Sequence, residues 1–408
     1  MTASLYSRSK HFYYCLGPLA LPLLIVLFFI PNHPIKDEII FYPIIQDIGQ
    51  TFIPRLDQIR NLQSPMGPIY FIFWGFIGKC VGFSLVAMRT LNIMLSAIVV
   101  ALILRILQSN TQRSLLGTYV FLLNPYFIAL VVPLLYTDVV ALIFVMAGCY
   151  CYFLTGNRLI GSICFGMAIC TRQLLIVVPA AAVIADLFWY RKNIFKNPAV
   201  ILFDAIPFFM FGILFILWGG QVNSGAYPGN FYPENSISAF RFSLKTVNYS
   251  ILLMGIHLAP VWIFRIKEIL RSKYFKAAVL ISFSLIPAFP KLINANTGFL
   301  TVPSAAGLLD QAIIKLGGIA YVLVPIFYVF SLAFLLHAFF NKNEPWYSLF
   351  SKVLILLFVL LESMHPYCWD KHYLLIVPFL FIICPDLKQH KKQVTYQPFS
   401  VCLVFLNS

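Results

Sequence analysis

The stretch from Leu115 to Leu154, LLGTYVFLLNPYFIALVVPLLYTDVVALIFVMAGCYCYFL, holds two apolar runs, 115–134 and 139–154, that meet at Tyr136-Thr137-Asp138 with no polar spacer. Each approaches the ~20 residues that a helix needs to cross a hydrocarbon core of about 30 Å. A polar triplet placed this way reads as a turn between two spans. Backbone polar groups in lipid must be satisfied within their own segment, so helices are the expected elements.

Further apolar runs lie at 13–30, 90–107, 159–170, 173–190, 200–219, 249–264, 277–290, 316–337, 347–363 and 373–385. The expectation is an all-α polytopic membrane protein of about twelve spans, folded as one integral-membrane domain over 1–408. Composition agrees: 61% of the residues are hydrophobic and 11% charged, too little polar surface to cover a soluble globule. The run at 159–170 is the shortest and would also suit a re-entrant segment.

Arg8 and Lys10 precede the first run, and no small-residue cleavage site follows it, so it reads as a retained helix. The net charge of +15 comes without a Lys/Arg stripe on any soluble domain. It reads as basic anchors facing lipid headgroups and excludes nucleic acid as a partner. Cys149, Cys151, Cys164 and Cys170 fall inside apolar runs without zinc spacing and read as small core residues. A bridge between Cys80 and Cys368 has no cysteine framework to support it.

Placing the N-terminus in the cytoplasm and alternating sides gives inward loops holding Arg105, Arg113, Arg158, Arg191, Lys192, Lys196, Arg265 to Lys276, Lys342, and a cytoplasmic tail at 387–408 with Lys388, Lys391 and Lys392. That is the positive-inside pattern. The same parity sends Asp37, Glu38, Asp47, Asp57, Asp138, Glu234, Asp310 and Asp370 to the other face, more than half of the 14 acids. A site on the extracytoplasmic face is expected. Its first loop, 32–89, mixes Ile39, Ile44, Ile45, Ile48 and Phe52 with Gln46, Asp47 and Gln50, the pattern of a helix lying in the interface. Ile69 to Met88 reads as a second interfacial or half-inserted element.

Asp37-Glu38, just past the first run, suits a partly desolvated base as well as a solvated loop charge. Asp138 suits a site or a helix cap. Arg172 stands between two apolar runs with no charge near it in sequence; at membrane depth such a residue costs roughly 2.5–3.5 kcal/mol and needs a cavity, an anion or a snorkelling path. His365-Pro366-Tyr367-Cys368-Trp369-Asp370-Lys371-His372-Tyr373 packs charges and aromatics into one turn, where Lys371-His372 suits a phosphate and the rings suit an aromatic belt. His365, Asp370 and His372 match no standard metal spacing. Arg241 and Lys245 share one helical face and suit an anionic headgroup or a loop anchor. Asn248-Tyr249-Ser250 matches a glycosylation sequon but abuts a span.

Together these residues resemble the GT-C class of integral-membrane glycosyltransferases, and within it the dolichyl-phosphate-glucose-dependent α-1,2-glucosyltransferase family of N-glycan precursor assembly. That family opens its first lumenal loop with Asp-Glu-Ile followed by Pro and Gln, matched by Asp37, Glu38, Ile39, Pro43 and Gln46. Pro65-Met66-Gly67-Pro68-Ile69-Tyr70 is similar to its Pro-Pro-Gly-Leu-Tyr element. Tyr136-Thr137-Asp138-Val139, Arg172-Gln173, His365-Pro366 and His372-Tyr373 match later motifs in order. The family's Gly-Asp-Lys loop has no counterpart in 219–248, where Tyr232-Pro233-Glu234-Asn235 stands.

The resemblance implies an inverting hexosyltransferase that moves a hexose, glucose by analogy, from a polyprenyl or dolichyl phosphate to a lipid-linked oligosaccharide or other glycan acceptor. It implies catalysis by Asp37, with Glu38 second. It places the donor phosphate on Arg172, Lys371 and His372 with Arg241 and Lys245 in reserve, and sugar or acceptor on Asp138, Tyr136, Gln173, His365 and Asp370. No cofactor is expected, a divalent metal staying open. The membrane would be the endoplasmic reticulum in a eukaryote or the plasma membrane in a bacterium. A transporter or flippase would instead place ionisable groups at the bilayer midplane, often in two related halves, and a lipid-linked glycan polymerase or ligase would leave Asp37-Glu38 without a task.

Overall fold

The computed structural model describes residues 17–51, 53–62, 64, 66–107, 111–191, 198–218, 242, 244–285, 315–340, 345–364 and 370–384. Every regular element among them is helical. In chain order they are α1 (Gly17–Phe28), α2 (Glu38–Ile48), α3 (Leu56–Arg60), α4 (Pro68–Cys80), α5 (Leu85–Ile106), α6 (Thr111–Leu122), α7 (Thr137–Thr155), α8 (Arg158–Ile169), α9 (Gln173–Tyr190), α10 (Pro198–Trp218), α11 (Leu244–Trp262), α12 (Lys273–Leu285), α13 (Gly317–Phe339), α14 (Trp346–Met364) and α15 (Val377–Ile383). Seven are long and apolar enough to cross a membrane: α5, α7, α9, α10, α11 in a helical stretch continued to Arg271, α13 and α14. The chain is a multi-pass membrane protein.

Of the expected twelve spans, seven are single helices of full length among the described residues, and other apolar runs form shorter helices. The differences have local causes. The run at 115–134 breaks because Pro125 cannot continue a helix, and Asn124 turns back to accept from Tyr126 N at 2.9 Å. A short π turn at Phe127–Val131 follows. The buried carbonyls of Val131, Val132 and Leu134 converge on the Asn92 amide nitrogen at 2.8–2.9 Å and share its two hydrogens, which lets irregular backbone sit inside the protein. Helix α8 has 12 residues, about 18 Å of rise, and falls short of a full span. In the other direction, α5 begins at Leu85, so Met88 and Arg89 belong to a spanning helix and the first loop ends sooner than residue 89.

Two apolar cores result. The larger joins α5 to α9, α11, α13, α14 and α15 through side chains such as Val99, Phe127, Val145, Phe165, Phe350 and Phe379. The smaller belongs to the first loop, where Phe41, Ile45 and Ile48 of α2 pack on Tyr70, Phe71 and Trp74 of α4. The two short helices touch closely at Gly49 and Gly75: a Cβ on Gly49 would lie 2.7 Å from the Gly75 carbonyl. The loop is thus a folded helical layer, and Trp218 Nε1 at the end of α10 ties it down through the Ile59 carbonyl at 2.9 Å.

The α8–α9 pair carries charge at both ends. At the end remote from Arg172, Arg158 forms a two-point pair with Asp186, whose carboxylate also accepts from Trp346 Nε1 at 2.7 Å, while Asp204 lies 3.9 Å away and accepts from Tyr152 at 3.1 Å. Arg158 is also stacked within 5.4–5.6 Å of the Tyr152, Tyr190 and Trp346 rings. These contacts use the donors and acceptors of one another and lock α7, α8, α9, α10 and α14 together.

Candidate active site

The site grows from the short segment that leads into α2. Asp37 precedes the helix and stays half-buried, while Glu38, its first residue, is wholly buried. Glu38 is held by Arg89 of α5 in a two-point ion pair, with Nε to Oε1 at 3.0 Å and both side chains fully enclosed. Its oxygens also accept from the backbone amides of Leu135 at 3.0 Å and Ile35 at 3.2 Å. Arg89 spends its other donors on the carbonyls of Pro31 at 2.8 Å and His33 at 3.1 Å. A buried charge survives only when paired and fully hydrogen-bonded, and both conditions hold here. Glu38 is therefore engaged as an anchor on every side.

The anchor fixes Asp37 relative to the Tyr136-Thr137-Asp138 turn, because Leu135 is one of its partners. Tyr70 of α4 donates its hydroxyl to the Leu135 carbonyl and braces the same point. Burial pushes the Tyr136 hydroxyl well above its ordinary ionisation range, and the charges of Asp37, Asp138 and Glu38 add to the effect. Tyr70 shifts the same way, from burial first and then from Glu38, Asp37 and Asp138. The adjacent acids Asp37 and Glu38 and the distant Asp138 thus act on one pair of phenols.

Asp138 lies in the first turn of α7 and forms an ion pair with Arg172, which caps the turn between α8 and α9. The sequence places no charge near Arg172; the fold brings one from 34 positions away. Both side chains are largely buried, 13% and 8% exposed, and their pairing offsets the cost of burying either charge. One terminal nitrogen serves Asp138, and a guanidinium has five N–H donors. Gln173 opens α9, and its buried Nε2 has no hydrogen-bond partner among the described residues.

The Arg172 turn is itself gripped by the first loop. Gly67 N donates to the Thr171 carbonyl at 3.0 Å and Ile69 N to the Cys170 carbonyl at 3.2 Å. A Cβ on Gly67 would stand 1.8 Å from the Cys170 carbonyl oxygen, so only glycine allows this approach. The Gly-Pro-Ile-Tyr stretch therefore serves two purposes: Gly67 docks on the arginine turn and Tyr70 on the acid turn.

Asp138 and Arg172 line a small cleft of about 20 Å³, partly open to its surroundings, whose other walls include Leu142, Leu175, Phe358, His372 and Leu375. His372 lies in the 3₁₀ turn Asp370–Leu375, and its Nδ1 is 3.0 Å from Oε1 of Glu362 in the last turn of α14. Tyr373 beside it is wholly buried, edge-on to Phe358 and hydrogen-bonded to Ser250 of α11. The cleft has a polar rim of one acid and two basic side chains over apolar walls.

Of the residues singled out in the sequence, the structure brings Asp37, Tyr136, Asp138, Arg172 and His372 to one end of the bundle. His365, Arg241 and the tail at 387–408 lie outside the described residues, as do the side chains of Lys245, Asp370 and Lys371. Cys80 is a free thiol, and Cys368 lies outside the described residues. Asn248 is fully buried and accepts from Tyr328 at 3.0 Å, so the sequon is a packing element of α11 and no glycan acceptor. Among the described residues no three His, Cys, Asp or Glu side chains converge as a metal site would require. Arg89 and Glu362 are absent from the sequence reading. Each is a charge within an apolar helix, which is the signal that marks a polar partner inside a membrane protein. Comparison with protein-family models, curated proteins and solved structures returns no match.

Proposed function

We propose that this protein is an inverting membrane glycosyltransferase that takes a hexose from a polyprenyl phosphate donor and passes it to a lipid-linked oligosaccharide or another glycan acceptor on the extracytoplasmic face. The observation that carries the reading is the meeting of Asp138, Arg172 and His372 in one largely apolar cleft, with Asp37 near enough to act on Tyr136 beside Asp138. The ordered sequence motifs shared with the dolichyl-phosphate-glucose-dependent family support the choice of sugar and carrier.

In this mechanism Asp37 accepts the proton of the acceptor hydroxyl as its oxygen attacks the anomeric carbon. The bond from that carbon to the phosphate oxygen breaks, configuration inverts, and the polyprenyl monophosphate leaves. Negative charge grows on the departing phosphate, where Arg172 and His372 stand ready to stabilise it. Asp138 keeps the guanidinium in place and supplies an acceptor for a sugar hydroxyl. Glu38 and Arg89 hold the base in register with the cleft.

The test is to reconstitute the purified protein in vesicles with a labelled panel of polyprenyl phosphate sugars and a lipid-linked oligosaccharide, and to follow release of polyprenyl phosphate. Consumption of one donor by the wild type, lost in Asp37→Asn, supports the proposal. Movement of intact donor across the bilayer without sugar release would point to a flippase, and would overturn it.

A further inference from the structure

We propose that the turn joining α11 to α12 is a binding site for anionic phospholipid, in the leaflet on the face opposite Arg172 and His372. The inference is independent of the reaction proposed for the other end of the bundle.

The direction of the helices fixes the face. Helix α11 starts beside the Asp370–Leu375 turn, where Ser250 meets Tyr373, and runs away from it to Trp262. Helix α14 runs from Trp346, bonded to Asp186, to Glu362, bonded to His372. The end of α13 lies near the start of α14, because Lys352 donates to the Phe339 carbonyl at 2.7 Å. Helix α12 begins at that same place, with the Tyr274 ring 5.5 Å from His337 and 6.0 Å from Phe340. The α11–α12 turn therefore sits at the end remote from Arg172. Its depth follows from length: the 19 residues of α11 rise about 28 Å, close to the thickness of a hydrocarbon core, so the chain from Ile263 onward enters the headgroup layer.

The turn is crowded with one sign of charge. It holds Arg265, Lys267, Arg271, Lys273 and Lys276 against one acid, Glu268, which Arg265 takes at 3.5 Å. Lys267, Arg271, Lys273 and Lys276 are exposed and pair with no acid among the described residues, Lys273 resting over the Tyr274 ring at 5.1 Å. Lys267 and Arg271 are one helical turn apart, as are Lys273 and Lys276, and like charges at such spacing repel. An anion from outside the chain removes that cost.

The apolar side chains among these cations select a lipid over a soluble anion. Ile269 is buried and seats the turn on the protein, while Phe264 is 85% exposed and Ile263 and Leu270 are half exposed. Aromatic and aliphatic surface interleaved with Lys and Arg suits the boundary between headgroups and acyl chains. An acidic headgroup answers the four cations, and its acyl chains cover Phe264 and Leu270. Basic clusters just beyond a span attract an anionic leaflet in this way, each cation within about a Debye length of the surface adding to the attraction.

The experiment is lipid binding to purified full-length protein in detergent, read by native mass spectrometry during titration with phosphatidylserine or phosphatidylcholine. Wild type is compared with a neutral variant, Lys267→Gln, Arg271→Gln, Lys273→Gln and Lys276→Gln together, and with a charge-retaining one, Lys267→Arg, Arg271→Lys, Lys273→Arg and Lys276→Arg together. The expected result is a wild-type preference for phosphatidylserine that weakens with salt, falls about tenfold or more in the neutral variant and survives in the charge-retaining one. Arg105→Gln, which removes an exposed cation at the same end of the bundle, should leave the preference within about twofold of wild type. The replaced side chains are exposed, so unfolding temperatures should stay within a few degrees of wild type. If the neutral variant does not fold, Lys273→Gln with Lys276→Gln carries the test, with an expected fall of about threefold. A preference that is unchanged in the neutral variant, or lost as fully in Arg105→Gln, overturns the proposal and leaves these residues as topological anchors. Equal loss of both lipids in the neutral variant also overturns it, since headgroup charge would then not be what the turn recognises.

Discussion

Glu38 and Arg89 stand 51 positions apart in sequence and meet as a fully enclosed, two-point ion pair between the first loop and α5. The pair also ties the amides of Ile35 and Leu135 and the carbonyls of Pro31 and His33 to one charge centre. It therefore fixes where Asp37 stands.

Removing one member leaves the other charge buried without a counterion. Glu38→Gln or Arg89→Met should each destabilise the protein by about 3–5 kcal/mol, while the double replacement should cost clearly less than the two singles together. Thermal unfolding in detergent, read by tryptophan fluorescence, gives the comparison. Additive losses would show that the two side chains act separately.

Asp37 is only half-buried and stands at the edge of this network. Asp37→Asn should leave the unfolding temperature within a few degrees of wild type while sugar transfer falls by at least a hundredfold, the scale of general base catalysis. Activity of that variant within a factor of two of wild type would remove Asp37 from the mechanism.

Gly67 touches the Cys170 carbonyl too closely for any side chain. Gly67→Ala should push the first loop off the Arg172 turn, costing at least ~1–3 kcal/mol by overpacking and raising protease cleavage within 49–67. An unchanged digestion pattern would mean that this docking does not hold the loop.

Tyr70 is wholly enclosed, and burial together with Glu38, Asp37 and Asp138 raises its ionisation far above the ordinary value of 10.0. The folded state therefore holds a proton that the unfolded state loses above that value. The stability contributed is full below pH ~10 and declines as pH rises beyond it. An unfolding series from pH 8 to 12 should show a steeper alkaline loss in wild type than in Tyr70→Phe, although the variant starts lower because it lacks the bond to Leu135.

Expression in a host that glycosylates asparagine offers a simple check on α11. With Asn248 fully buried and engaged with Tyr328, enzymatic deglycosylation should leave the gel mobility at this site unchanged, and Asn248→Gln should match wild type in mass. A glycan at Asn248 would require α11 to sit elsewhere.

The helical membrane class was legible in the sequence because it rests on apolar runs and scarce charge, which are properties of the chain taken a segment at a time. The number of spans was less so. Pro125 and Pro133 interrupt an apolar run, and the carbonyls of Val131, Val132 and Leu134 find a donor in Asn92, distant in sequence. Among site residues the order reverses. The motifs marked Asp37, Asp138, Arg172 and His372 as unusual polar groups in apolar surroundings.

What the sequence determined by itself is therefore the solvent this chain folds in and the short list of polar groups that need partners there. Only the tertiary structure decided the partners: Glu38 with Arg89, Asp138 with Arg172, His372 with Glu362. Local pattern cannot supply these pairings, because each joins helices distant along the chain or across a turn, and opposite charges in an apolar protein are matched by packing and not by spacing.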